Sequence, residues 1–232
     1  MKKLLLSLLG ILLIGSVYAA PIIVPSYGET GWQHWSYTIA KDDLEPGETS
    51  ITTYVGFAVS NYDDNQLDSV LLIDNLNIGP AGNLGFESDL NGYTVVDNGA
   101  GSVSVVSSAV SYNGNTYLPT DGNNFAKLIA GTADTSAFGG IDGAYLLVTD
   151  PITLHVGDIP SFDWAFLAED NAPVKDFAFF LHIDTAGIPS NPVIDDDYEV
   201  LAQIGAVPEP ATLLLLGSGL LGLLGVGAKR KV

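Results

Sequence analysis

The chain has 232 residues, enough for one domain with a sizeable buried core. It contains no cysteine, which excludes disulfides, thiolate metal sites and cysteine nucleophiles. Residues 21–206 carry 26 of the 27 acidic side chains, three lysines and no arginine, so their formal net charge is −23. This charge argues against nucleic-acid binding, which needs a basic face. It favours the binding of multivalent cations such as Ca²⁺.

The N-terminus has the layout of a secretory signal peptide. Lys2 and Lys3 precede an apolar run at residues 4–17, and small residues follow the run. Cleavage after Ala19 fits the small-residue rule, so residues 1–19 are predicted to be removed after passage through the secretion translocon. An uncleaved anchor is the alternative, although the run is short for a membrane span.

The middle of the chain, residues 20–206, predicts short strands and no helix. Apolar and polar residues alternate over 51–59, and Gly, Pro, Asn or Asp separates the apolar segments. The predicted strands are 32–39, 51–59, 69–73, 94–96, 102–110, 124–129, 144–148, 152–155, 162–167, 177–183 and 198–204. We interpret 21–31 as an arm, 131–143 as a long loop and Asn113-Gly114 as a hairpin turn. The pattern predicts an all-β fold, namely an antiparallel β-sandwich, with a barrel as the alternative.

The last 26 residues, 207–232, differ from everything upstream. A Pro-Glu-Pro triplet is followed by an uncharged run at 211–228 that is rich in leucine and glycine. Its length is near the minimum for a bilayer span, and its apolar residues lie on every helical face. The run therefore predicts a single transmembrane helix rather than a buried core helix. A basic stop-transfer cluster follows and fixes the C-terminus in the cytoplasm: Lys229, Arg230 and Lys231.

This order of parts resembles the PEP-CTERM sorting signal of Gram-negative bacteria that make exopolysaccharide. The residues that match the sorting motif are Pro208, Glu209, Pro210 and Thr212. The resemblance implies recognition and processing by exosortase, a membrane cysteine protease, after transient anchoring in the inner membrane. Release to the medium or cell surface, within an exopolysaccharide or biofilm matrix, would follow. A permanent single-span anchor is the alternative.

Other phrases resemble jelly-roll domains of the carbohydrate-binding type. Gly85-Phe86-Glu87 with Leu90-Asn91-Gly92-Tyr93 resembles the opening of such domains, and residues 71–76 resemble their closing strand. Residues 31–37 and 117–122 resemble phrases from the second and first halves of PEP-CTERM jelly rolls. Because the closing phrase precedes the opening one, we hypothesise a circularly permuted sandwich. The alternative is two subdomains, in which strands before residue 76 would not pair with strands after residue 150.

The same resemblance implies a structural calcium ion where the first and last strands of a jelly roll meet. The matching positions are Asp74 and Glu87, with backbone carbonyls as further ligands. Without an ion, Asp74 would cap a turn and Glu87 would be solvated. A second oxygen-rich cluster lacks the spacing of an EF-hand calcium loop and consists of Asn61, Asp63, Asp64, Asn65 and Asp68. A third, at residues 195–197, is typical of a solvated acidic turn.

Sugar binding would need an exposed aromatic platform, for which Trp32, Trp35 and Tyr37 are the candidates. Trp32 and Trp35 are an odd number of positions apart, so in a regular strand one of them faces the core.

No catalytic constellation is evident. The three histidines lie on or beside predicted strands, without a Gly-x-Ser-x-Gly elbow or a metal-binding pair: His34, His155 and His182. The carboxylates are too numerous to single out a glycosidase pair. The sequence therefore favours a non-enzymatic secreted or cell-surface protein. A carbohydrate-binding module is the alternative, followed by a secreted hydrolase.

Overall fold

The computed structural model describes residues 20–64, 66–78, 85–96, 102–131, 133–183 and 197–205. The predicted signal peptide, sorting motif, membrane helix and basic cluster lie outside these ranges. Within them, no helix is both long enough and apolar enough to cross a membrane.

The described residues form fifteen strands and two single turns of 3₁₀ helix, so the fold is all-β as predicted. The strands are β1 (Ile22–Val24), β2 (Gln33–Ser36), β3 (Ser50–Ser60), β4 (Val70–Asp74), β5 (Tyr93–Val96), β6 (Val103–Val106), β7 (Val110–Tyr112), β8 (Asn115–Tyr117), β9 (Phe125–Ile129), β10 (Ala133–Asp134), β11 (Asp142–Val148), β12 (Ile152–His155), β13 (Ser161–Leu167), β14 (Phe177–Ile183) and β15 (Tyr198–Ile204). The 3₁₀ turns are Lys41–Asp43 and Ser136–Phe138.

The larger sheet is organised around β3, its longest strand. β14 pairs along one side of β3, while β11 and β12 pair in succession along the other side. The order is β1-β15-β14-β3-β11-β10, with β5 also paired to β11. All these pairings are antiparallel except that of the edge strand β1, which runs parallel to β15.

The smaller sheet has the order β2-β13-β4-β9-β6 and is antiparallel throughout. Its inner face packs against the larger sheet, and the two layers share one aromatic core. Phe57 of β3 meets Phe162 of β13 edge to face, with ring centroids 4.9 Å apart. Trp35 stacks on Phe162 at 5.0 Å and contacts Phe180 of β14 at 4.9 Å. The sheets therefore form the predicted sandwich.

Each sheet also has apolar cover on its outer face. The hairpin of β7 and β8, which turns at the predicted Asn113-Gly114, packs over the smaller sheet. Phe138 from the second 3₁₀ turn packs over the larger sheet against Phe179, at 4.7 Å. Because both faces are covered, β14 is buried at nearly every position rather than at alternate ones.

Strands from the two ends of the chain interleave in both sheets. β3 pairs with β12 and β14, and β13 lies between β2 and β4. Strands before residue 76 therefore pair with strands after residue 150, which contradicts the alternative of two subdomains. Circular permutation of the single sandwich stays a hypothesis.

Three local predictions were wrong. The arm at residues 21–31 contains β1, whose partner β15 lies about 180 positions away. The single strand predicted over 102–110 is two strands, because β6 joins the smaller sheet and β7 joins the hairpin. The loop at 131–143 contains β10 and a 3₁₀ turn, since its apolar residues Ala133 and Phe138 are buried.

Candidate functional site

Polar side chains meet on the outer face of the smaller sheet, at one end of three neighbouring strands. His34 of β2, Asp163 of β13 and Asp74 of β4 are direct cross-strand partners. Cross-strand partners project to the same face of a sheet, so these three side chains form a row. Residues 120–124 and Glu87 lie against this row through the contacts below. We call the whole set the Asp74 corner.

Asp74 holds the start of the 120–124 loop. Its Oδ2 accepts hydrogen bonds from the Thr120 and Asp121 backbone N–H groups, at 2.6 and 3.1 Å, and from the Thr120 hydroxyl at 3.1 Å. Its Oδ1 accepts one from the Asn75 backbone at 2.8 Å. The side chain is fully buried, and this burial raises the pKa of Asp74 despite the four hydrogen bonds.

Glu87 holds the other end of the same loop. Its Oε1 accepts hydrogen bonds from the Asn123 and Asn124 backbone N–H groups, at 2.7 and 2.8 Å. The Asn123 backbone hydrogen bond is the main cause that lowers the pKa of this exposed carboxyl. Gly122 makes the approach possible, since a Cβ there would lie 2.4 Å from Glu87 Oε1. The two residues predicted to bind calcium therefore anchor one loop from its two ends.

His34 and Asp163 form a hydrogen-bonded pair at the edge of the corner. His34 Nδ1 lies 2.7 Å from Asp163 Oδ1, while the Asn75 amide donates to Asp163 Oδ2 at 3.0 Å. Burial opposes ionisation of Asp163, but hydrogen bonds from His34, Thr120 and Asn75 hold its pKa below the usual value. The imidazole is 55% exposed, so the pair lies at the surface.

The corner brings together all four phrases that resemble jelly-roll domains. They contribute His34 from residues 31–37, Asp74 from 71–76, Glu87 from the opening phrase, and Thr120 with Asp121 from 117–122. Asp121 and Asp163 also belong to the corner, although neither was predicted as a site residue. Asp163 could have been found only from the register of β13 against both β2 and β4.

The corner fits a calcium ion in part. Asp121 Oδ2, Asp74 Oδ1 and the Asp121 carbonyl oxygen lie 3.4, 3.6 and 3.8 Å from the position that a Gly85 Cβ would occupy. Asp74 Oδ1 has one hydrogen bond and therefore a spare lone pair. Glu87 fits less well, because its oxygens already accept hydrogen bonds from Asn123 and Asn124. Over the described ranges, no group of three or more His, Cys, Asp or Glu side chains surrounds a common point.

The three aromatic candidates for sugar binding, Trp32, Trp35 and Tyr37, lie in three different surroundings in the sandwich. Trp35 faces the core between the sheets and donates its indole N–H to Glu199 Oε2 at 2.9 Å. Trp32 faces the opposite side, where it packs edge to face on Tyr117 and Phe125. The expectation that one tryptophan faces inward is confirmed. Tyr37 donates to Asp43, at 2.9 Å, beside the first 3₁₀ turn.

A shallow groove runs beside Trp32, between the segment after β1 and the strand β8. It has a volume of about 440 Å³ and is lined by Glu29, Thr30, Gly31, Trp32, Asn115, Thr116 and Tyr117. Glu29 accepts hydrogen bonds from the Asn115 amide and, at 2.7 Å, from the Tyr117 hydroxyl. An indole ring, a carboxylate and an amide thus line the same surface.

The remaining histidines are not joined to the corner. His155 lies in β12 with Nδ1 3.6 Å from Asp158 Oδ2, and His182 lies in β14 beside Phe180. In the described parts of the chain, the three histidines therefore lie at three different places.

Comparison with known proteins identifies the end of the chain. Residues 206–231 match the family model described as the PEP-CTERM protein-sorting motif. No curated protein and no solved structure matches the chain.

Proposed function

The chain carries a PEP-CTERM protein-sorting motif, which indicates an extracellular protein sorted by exosortase, and from this premise we propose that its β-sandwich acts without catalysis in the exopolysaccharide matrix. The motif at 206–231 is the observation that carries the proposal. We propose Pro208, Glu209, Pro210 and Thr212 as the residues that exosortase recognises, and Lys229, Arg230 and Lys231 as the stop-transfer cluster. The proposed route begins with removal of residues 1–19 and includes one transient stay in the inner membrane.

The negative charge of the domain supports a role outside the cell. Residues 21–206 carry 26 carboxylates and only three lysines. Once the apolar tail has been processed, such a negative surface keeps the domain soluble, because copies of it repel one another. In a matrix that contains divalent cations, the same carboxylates can bridge through metal ions to anionic polysaccharide.

Three carboxylates that hold loops in place support a structural role. Asp74 and Glu87 satisfy backbone N–H groups of one loop, and Asp176 accepts hydrogen bonds from Tyr62 N–H and the Ser69 hydroxyl, at 3.0 and 2.7 Å. These carboxylates hold connecting segments in place, and for the buried Asp74 and Asp176 this is the expected use of buried polar groups in a stable scaffold.

Replacement of Pro208, Glu209 and Pro210 by alanines tests the sorting step. We expect the variant to accumulate uncleaved in the inner membrane, while the matched change of Ala206 and Val207 to serines leaves processing intact. Fractionation with an antibody against the domain measures both. Release of the triplet variant to the medium at the normal rate would contradict the assignment.

A carbohydrate-binding module is a second candidate, favoured by the groove beside Trp32. Sugar C–H faces can stack on an indole ring, while sugar hydroxyls donate hydrogen bonds to a carboxylate and exchange them with an amide. Glycan arrays with and without EDTA test this function. Asn115 and Thr116 are exposed, so their replacement by alanine should abolish sugar binding without unfolding the domain, whereas Thr153→Ala on β12 should have no effect. Absence of binding to every matrix polysaccharide would reject this candidate.

We further propose a structural Ca²⁺ at the Asp74 corner, with Asp74 and Asp121 as its carboxylate ligands. The oxygens that converge near Gly85 are the support for this ion. Glu87, which we predicted as a ligand, would hold the loop that carries Asp121.

A further inference from the structure

The groove beside Trp32 presents the carboxylate of Glu29, whose hydrogen-bond partners are uncharged. These partners are the Asn115 amide and the Tyr117 hydroxyl. Among the described residues, Glu29 forms no ion pair with a basic side chain. The residue is only partly buried and lines the groove, so its negative charge is open to a ligand.

The segment before β2 and the hairpin of β7 and β8 form the two walls of the groove, and both are fixed. In the segment, the Thr30 N–H donates to the Phe166 carbonyl at 3.1 Å, and the Gly28 carbonyl accepts from the Ala168 N–H at 2.9 Å. In the hairpin, the Tyr112 hydroxyl donates to the Ala168 carbonyl. Both walls are therefore tied to the end of β13, and the carboxylate between them is preorganised for binding.

The groove is aromatic as well as acidic. The indole N–H of Trp32 donates to the Leu118 carbonyl at 3.1 Å, so the ring, and not the N–H, is what this side chain offers a ligand. Trp32 lies edge to face with Tyr117, which donates its hydroxyl to Glu29. An aromatic ring next to a carboxylate attracts cations, because the face of the ring carries partial negative charge.

The surroundings of the groove are also negative. Burial and, in addition, the charges of Glu169 and Glu29 raise the pKa of Tyr112 in the hairpin to about 12. Burial raises the pKa of Glu169, and the charge of Lys127 opposes this increase. Lys127 thus offsets one of the two carboxylates and leaves Glu29. The charge of −23 on residues 21–206 attracts cationic ligands and repels anionic ones.

We propose that the groove beside Trp32 binds a polysaccharide of amino sugars whose amino groups are free and charged. This inference rests on the proposed function of a carbohydrate-binding module and names the class of its ligand. The ammonium group lies between the Glu29 carboxylate and the ring of Trp32. A volume of about 440 Å³ is within the usual range of ligand sites, and the groove is shallow, so a polymer can lie across it.

The neighbouring polar groups favour an amino sugar over a basic peptide. Asn115 and Thr116 are exposed and line the groove beside Glu29. Their amide and hydroxyl groups can exchange hydrogen bonds with the hydroxyls that each sugar ring carries next to its amine. An acidic polysaccharide would need a bridging metal ion at this carboxylate, whereas an aminated one needs none.

Titration of the full-length chain in detergent micelles with two oligosaccharides tests the inference. One is an oligomer of glucosamine in a buffer in which its amines are charged, and the other is its N-acetylated counterpart of the same length and linkage. We expect the amine oligomer to bind at least about tenfold more tightly, with the same affinity in EDTA. Tryptophan fluorescence is the readout, because Trp32 lines the groove while Trp35 and Trp164 pack in the core.

Glu29→Gln is the decisive variant. Glutamine keeps an acceptor for the Tyr117 hydroxyl and removes the charge, so the ratio of the two dissociation constants should fall close to one. Glu45→Gln is the matched control, because it removes one exposed carboxylate that does not line the groove. The control should keep the preference for the amine oligomer.

The other outcomes separate this inference from the module itself. Equal binding of the two oligomers, or a preference that persists in Glu29→Gln, would overturn the amino-sugar assignment and leave a carbohydrate-binding module. Binding to no glycan at all would reject both. Loss of binding in EDTA would show that a metal ion makes the contact, and equally tight binding of an oligolysine of matched charge would assign the groove to a basic peptide. Either result would overturn the inference.

Discussion

The indole N–H of Trp35 donates a 2.9 Å hydrogen bond to Glu199 Oε2 across 164 positions of sequence. Trp35 belongs to β2 in the smaller sheet and Glu199 to β15 in the larger one, so this bond joins the two layers of the sandwich. Glu199 is 5% exposed, and the loss of one hydrogen-bond donor raises the cost of burying its carboxylate.

We therefore expect Trp35→Phe to lower the free energy of unfolding by about 1–3 kcal/mol or more, because the N–H is lost and a smaller ring replaces the indole. Glu199→Gln, which keeps an acceptor for the indole, should cost less. Urea denaturation measures both variants. If Trp35→Phe costs as much in the Glu199→Gln background as in the unchanged chain, ring packing and not the hydrogen bond to the carboxylate dominates.

Gly122 should be intolerant of a side chain. Its φ of +60° is costly for other residues, and a Cβ would overlap Glu87 Oε1. Gly122→Ala is expected to destabilise the protein by about 2–4 kcal/mol, from backbone strain plus the displaced hydrogen bonds of Glu87.

Gly114 is the matched control for this change. Its φ is +85°, and nothing lies within 4 Å of its Cβ position, so Gly114→Ala should cost only the backbone strain of about 1–2 kcal/mol. Removal of the Glu87 carboxylate should bring the cost of Gly122→Ala close to that of Gly114→Ala. An unchanged cost in the Glu87→Ala background would contradict the proposed clash.

Asp176 should make stability depend on pH. Burial raises the pKa of Asp176 from 3.8 to about 6, with further contributions from the charges of Asp170 and Asp64. The folded chain thus binds a proton near pH 6, whereas the unfolded chain binds it only near pH 4. Folding therefore favours the protonated form of Asp176. Its contribution to the free energy of unfolding is fully present below pH 4 and is lost as the pH rises through 6, a change on the order of 3 kcal/mol.

Asp176→Asn removes this titration and keeps an acceptor for the Tyr62 N–H. We expect the variant to be more stable than the unchanged chain at pH 7.5 and to show a flatter thermal midpoint between pH 4 and 7. Repulsion among the other carboxylates also changes with pH, but it is present in both proteins and sets the baseline for the comparison of their pH profiles. A pH profile that is parallel in the two proteins would show that Asp176 does not titrate in this range.

Calcium should raise the thermal midpoint through the Asp74 corner. A ligand that binds only the folded state stabilises it, and 100-fold excess over the dissociation constant contributes about 2.7 kcal/mol. Asp121→Asn should reduce this increase, while Glu87→Gln should reduce the midpoint without abolishing the response. A midpoint unaffected by saturating Ca²⁺ or by EDTA would exclude an ion at the corner.

Strands with a strong local pattern could be predicted from the sequence. β12, β14 and β15 begin and end where alternation and flanking turn residues place them. β1 could not, because its three residues become a strand only by pairing with β15. Likewise, the break between β6 and β7 depends on which sheet each strand joins, and local propensity carries no information on that choice.

The residues of the candidate site likewise include some that the sequence could predict and some that it could not. Asp74 and Glu87 were identified from the resemblance of their phrases to known domains, and the parity of Trp32 and Trp35 correctly assigned opposite faces. Asp163 and Asp121 were missed, since their neighbours are set by sheet register and by the 120–124 loop.

The parallel pairing of β1 with β15 has a mechanical consequence. Ile22 lies beside Ala202, and the Gly205 N–H donates to the Val24 carbonyl at 3.0 Å. Tension between the N-terminal end of β1 and the C-terminal end of β15 pulls these strands past each other along their length. Their hydrogen bonds then bear the load together, instead of opening one at a time as in a hairpin pulled from its ends. The domain should therefore resist stretching between its two ends.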